Sequence, residues 1–127
     1  MQIKLASVFV DDQDKALKFY TDVLGFVKKA DVRNGEYRWL TVVSPEGHDD
    51  VELLLEPNAN PVSQQFQKAI YDQDIPATLL FSTDVRADYE RLRGRGVHFQ
   101  SEPNVAPWGV NVVFDDTCGN LINLVQV

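Results

Sequence analysis

The stretch VFVDDQDKALKFYTDVLGF, residues 8–26, decides how the rest of the chain is read. It opens on the end of an apolar run, IKLASVFV (3–10), in which Leu5, Ser7 and Phe9 alternate with Ala6, Val8 and Val10. That period is a strand's, because successive side chains of an extended chain point to opposite faces. After Asp12 the period changes. A short carboxylate at this point can accept from the free amides of a helix's first turn. Ala16, Tyr20, Val23 and Leu24 then recur at helical spacing, and Gly25 suits the stop. Strand, capped helix and turn follow one another in a single stretch.

Working outward, YRWLTVV (37–43) and VELLLEP (51–57) read as strands separated by the turn-rich SPEGHDD. A proline in the first turn starts a helix at PVSQQFQKAIYDQ (61–73), with Phe66, Ala69 and Ile70 along one side. Then the pattern begins again. ATLLFST (77–83) is a strand, Asp84 a cap and VRADYERLRGRG (85–96) a helix ending in glycine. VHF (97–99) is a short strand, and WGVNVVF (108–114) and LINLVQV (121–127) are two more around the turn DDTCGN. Phe9 and Asp12 match Phe81 and Asp84 at a shift of 72, and Val42 and Val43 match Val112 and Val113 at a shift of 70. Such a repeat implies two copies of one module, residues 1–57 and 75–127, joined by a helix over 58–74. The expected fold class is α+β, two tandem modules in one domain, each a strand, a helix and two or three further strands.

A chain of 127 residues can bury one sizeable core. Its net charge of −7 argues against nucleic acid, which must be met by clustered Lys and Arg. No apolar run is long enough to span a bilayer and the start has no signal-peptide layout, so a cytoplasmic protein is expected. The lone Cys118 excludes a disulfide framework and a multi-cysteine zinc site. Nucleophile elbow, phosphate-cradling loop and dinucleotide fingerprint are all missing.

Three stretches, VFVDDQDKALKFYTDVLGF, ELLLEP and FDDTCGNLINLV, resemble the vicinal oxygen chelate superfamily. That group contains glyoxalase I, bleomycin-resistance proteins and extradiol dioxygenases. Thr117 and Cys118 depart from its usual DPDGN turn. The resemblance implies two tandem βαβββ modules that form a curved, half-open barrel around a pocket, and a homodimer. Metal-using members of the group carry four ligands, usually His and Glu. Carried over, those positions fall on Leu5, Leu53, Ala77 (or Thr78, should the register slip) and Asn123. The first three cannot bind a metal and the amide is a weak donor, so no cofactor is expected. Glu52, as the strand neighbour of Leu53, is expected to face away from the pocket.

His48, in the acidic turn EGHDD, and His98, at a strand start, read as surface residues, and the doublets Asp11–Asp12, Asp49–Asp50 and Asp115–Asp116 as caps and turns. What remains is aromatic: Trp39 and Trp108 near the starts of comparable strands, Phe9 and Phe81 at matching repeat positions. Arg38 could anchor an anionic group. The candidate ligand-binding set is therefore Phe9, Arg38, Trp39, Leu53, Phe81, Trp108 and Asn123. The leading expectation is metal-independent binding of an aromatic or apolar small molecule, in the manner of the bleomycin-resistance branch. The alternatives are a metal-dependent lyase, isomerase or dioxygenase using Glu52 with His48 or His98, and an interaction module.

Overall fold

The computed structural model describes residues 1–127. The chain divides into two compact units, Met1–Gln64 and Gln65–Val127. Each is built on an open four-stranded mixed sheet. In the first, β1 (Leu5–Val10) is followed by α1 (Gln13–Lys18), a π-helical turn (Phe19–Val23), β2 (Val27–Asn34), β3 (Tyr37–Val43) and β4 (Glu52–Pro57). The sheet order is β1-β4-β3-β2, with β1 parallel to β4 and the other pairs antiparallel.

Asp12 caps α1 as its chemistry suggests, accepting the Lys15 N–H at 3.0 Å. The wide π-helical turn brings Phe19 and Tyr20, neighbours in sequence, into the core together with Ala16. Val10, Leu40, Val42 and Leu55 are fully buried on the same side of the sheet. Each aliphatic side chain taken from water contributes about 1.5–3 kcal/mol, so this layer holds the first unit together.

α2 (Pro61–Asp72) spans the division between the units. Its apolar side is not the buried one: Phe66 is largely exposed while Gln67 is buried. The Gln67 amide donates to the Cys118 carbonyl at 3.0 Å and to Asn120 Oδ1 at 3.2 Å. Those partners belong to the DDTCGN turn. Within it the fully buried Asp116 accepts from the backbone N–H of Cys118 and Asn120 and from the Asn120 amide. A buried carboxylate is tolerable when its lone pairs are filled in this way. Cys118 is a buried free thiol.

The second unit continues with β5 (Thr78–Phe81), α3 (Val85–Gly94), β6 (Asn104–Ala106), β7 (Gly109–Asp115) and β8 (Leu121–Gln126), in the order β5-β8-β7-β6. Asp84 caps α3 by accepting from Ala87 N–H at 3.0 Å. The expected strand VHF makes one isolated bridge, Phe99 to Phe114. Phe99 instead packs its ring edge-on between Tyr89 and Phe114, at 4.7 and 5.8 Å between centroids. The edge strand is β6. No helix is long and apolar enough to cross a membrane.

Candidate functional site

Ladder register decides which side chains can meet on a face. In the first unit, Leu5 pairs with Glu52, Ser7 with Leu54 and Phe9 with Glu56. Thr41 pairs with Leu54 and Val43 with Glu52. Paired residues point the same way, so Leu5, Phe9, Trp39, Thr41, Glu52 and Leu54 lie on the face turned away from α1. Val8, Val10, Leu40, Val42, Leu53 and Leu55 lie on the face beneath it.

This corrects two expectations. Leu53 shares the α1 side with Ala6 and Val42, its ladder partners, and is not on the face of Phe9 and Trp39. Glu52 faces the same way as Leu5. No bulge turns it there: β1 and β4 pair without interruption, and the sheet's one irregularity lies in β2, between Lys28 and Ala30. Leu54, paired with Ser7, is the counterpart of Asn123, paired with Leu79 at the repeat shift of 72. Placing the counterpart at Leu53 is wrong by one residue.

Arg38 is corrected as well. It lies on the α1 side, where Nε and Nη2 donate to the two Asp31 oxygens at 2.9 and 3.0 Å and Nη1 donates to Asp14 Oδ1 at 2.6 Å. The hydrogen bond to Asp31 is the main reason the guanidinium holds its proton even more firmly than usual. The same bond holds the Asp31 carboxyl below its ordinary range. Buried and committed to Asp31 and Asp14, Arg38 ties α1 to β2 and β3 on the face opposite Phe9 and Trp39. Gln13 adds a second tie, donating to the carbonyls of Arg38 and Leu55.

On the other face, the Glu52 carboxylate is held by the fully buried Thr41, whose hydroxyl lies 2.7 Å from Oε1. Thr41 Oγ1 in turn accepts the Ala30 N–H at 3.1 Å. Phe9 is part-buried beside Glu56, and Trp39 is 37% exposed.

In the second unit, Leu79 pairs with Asn123 and Phe81 with Val125 on the face turned away from α3. Leu79 is 51% and Phe81 71% exposed. Asn104 donates to Asn111 at 3.3 Å and Asn111 to Asn123 at 2.9 Å, a row of amides across three strands. Trp108 lies in the β6–β7 turn, exposed, and is not a strand counterpart of Trp39. Near the strand end, the Tyr71 phenol donates to Asp115 at 2.5 Å, which raises the phenol's pKa. Thr41 and Asn111 escaped the sequence reading. Asn111 had a signal, as the one polar side chain in WGVNVVF; Thr41 had none, since threonine is at home in any strand.

A divalent metal needs at least three donors converging. Of Leu5, Leu53 (or its register-corrected neighbour Leu54), Ala77 and Asn123 only the last offers a donor, a neutral amide; Glu52 is a single carboxylate, and no group of three His, Cys, Asp or Glu side chains gathers anywhere in the chain. His48 and His98 are both exposed. These residues do not fit a metal.

A family model described as the Glyoxalase/Bleomycin resistance protein/Dioxygenase superfamily matches residues 2–124. The chain belongs to this superfamily. Among superfamily relatives, it is 50% identical to YurT of Bacillus subtilis (strain 168) over 126 residues, 99% of both chains. The crystal structure of UcmS2 matches 98% of this chain and 97% of its own at 37% identity and a TM-score of 0.85. TnmS3, an antibiotic binding protein from Streptomyces sp. CB03234, matches 99% and 95% at 35% identity and a TM-score of 0.77.

Proposed function

We propose that this superfamily member binds an apolar or aromatic small molecule without a metal ion and releases it unchanged. The observation that carries the reading is the apolar surface left on the faces turned away from the helices. Phe81 stands 71% exposed at the end of the edge strand β5, beside a half-exposed Leu79. A ligand that covers such surface gains about 25 cal/mol per Å² removed from water. The failure of the donor set to fit a metal supports the same reading, as does the likeness to TnmS3, an antibiotic binding protein. The metal-dependent alternative has Glu52 on the right face but no second ligand beside it. The proposed assembly, implied by the resemblance, is a homodimer, and the proposed setting is the cytoplasm.

The test is a thermal-shift screen with a library of polycyclic aromatic compounds, followed by mass spectrometry of the recovered ligand. A concentration-dependent rise in melting temperature with the compound returned intact is the expected result. Conversion of the compound to a product, or no stabilisation by any member of the library, overturns it.

A further inference from the structure

The carboxylate of Glu52 is anchored on one oxygen only. The β2 irregularity between Lys28 and Ala30 puts the Ala30 N–H on Thr41 Oγ1. Thr41 therefore accepts from the backbone, and its own hydroxyl proton goes to Glu52 Oε1. The direction of this relay is fixed, because a backbone N–H cannot accept. No group of the protein donates to Oε2, and Glu52 forms no ion pair with any Lys or Arg. The lysines of β2 are engaged elsewhere, Lys28 with Asp31 and Lys29 with the Asp49 carbonyl, and its Arg33 pairs with Arg38 on the opposite face. β1 and β4 contain no Lys or Arg, and the one Arg of β3, Arg38, is on the opposite face and bound to Asp31 and Asp14.

We propose that Oε2 of Glu52 receives a protonated amine of the bound molecule, so that the ligand class is an aromatic or apolar amine. This rests on the small-molecule reading above and narrows it. A ligand that covers this face strips water from a carboxylate, which is costly unless a partner replaces the water. An ammonium group does so with a charge-assisted hydrogen bond, about twice as strong as a neutral one. A ligand carboxylate or phosphate meets repulsion and finds no guanidinium.

Three probes of one shape separate the possibilities: 2-naphthylmethylamine, 2-naphthylmethanol and 2-naphthoate, titrated calorimetrically at pH 7. The wild-type protein is expected to bind the amine at least about tenfold more tightly than the alcohol, a difference of about 1.4 kcal/mol, and the naphthoate more weakly than either. In Glu52→Gln, which keeps the shape and the Thr41 contact, the amine's affinity falls to that of the alcohol. In Glu36→Gln, which removes a carboxylate of the exposed β2–β3 turn, the amine keeps its lead. Equal binding of amine and alcohol by the wild type, or a lead that survives Glu52→Gln, overturns this proposal alone. Failure of all three probes to bind overturns the small-molecule reading with it. Stoichiometric zinc uptake that disappears in Glu52→Gln also overturns the proposal, by assigning Oε2 to a metal.

Discussion

Two side chains with similar candidacy in the sequence have opposite fates at the scale of single residues. Arg38 is buried and ion-paired with two carboxylates, Phe81 exposed. Removing Arg38 leaves Asp31 without its main partner, and Arg38→Ala is expected to cost about 2 kcal/mol while leaving ligand affinity intact; an urea melt beside a binding titration checks both halves. The pair also sets a pH dependence. Since Arg38 lowers the Asp31 pKa, its stabilisation is complete above the carboxyl's unfolded value and is lost as pH falls through the lower folded value. The wild type should therefore lose stability more steeply than Arg38→Met as the pH is taken below about 4, followed by melting temperature against pH. Phe81→Ala is the converse case. It removes a ring that packs little, so stability should move by less than about 0.5 kcal/mol, whereas affinity for an aromatic ligand should fall about tenfold. Unchanged affinity would take Phe81 out of the site.

At the scale of elements, local chemistry was legible and pairing was not. Asp12 and Asp84 announce α1 and α3 because a cap is made within three residues of itself. The repeat was readable where the strands start each module, so Phe9 and Phe81 do occupy matching positions, each on the face turned from its helix. β2 escaped because its irregularity interrupts the alternation that marks a strand, and β6 because three residues carry no period. The side on which Leu53 and Glu52 fall depends on how β4 registers against β1, a long-range choice in which one step exchanges the faces. The β6–β7 hairpin offers a test of register from the backbone. Gly109 has φ +150°, and a Cβ there would stand 2.1 Å from the Gln126 carbonyl oxygen. Gly25, at φ +88°, has nothing within 4 Å of the same atom. Gly25→Ala should cost about 1 kcal/mol of conformational strain. Gly109→Ala should cost about 3 kcal/mol or more, since the β7–β8 ladder must part to admit the methyl. Equal costs in a denaturation series would mean that β7 and β8 are not paired in this register.

For the molecule as a whole, what separates a binding protein from a metalloenzyme of this superfamily is which small partner is linked to folding. A partner that binds only the native state stabilises it by RT ln(1 + [L]/Kd), about 2.7 kcal/mol at a hundredfold excess over Kd and about 4.1 at a thousandfold. For a chain of this length each kcal/mol moves the melting temperature by about 4 °C. A resident zinc, iron, manganese or nickel ion would thus declare itself in a shift of more than about 10 °C between chelated and metal-loaded protein. One amide among the four carried-over positions, with the lone Glu52 carboxylate, cannot supply that affinity. Melting curves with chelator and with each ion in turn should therefore coincide to within about 1 °C, while a cognate aromatic ligand at a hundredfold excess raises the midpoint by about 10 °C. The two results belong together, because a protein that responds to neither has its stabilising partner elsewhere, in a macromolecule. A response to metal alone would return Glu52 to the role of a ligand and require a second donor brought beside it by a rearrangement of the sheet.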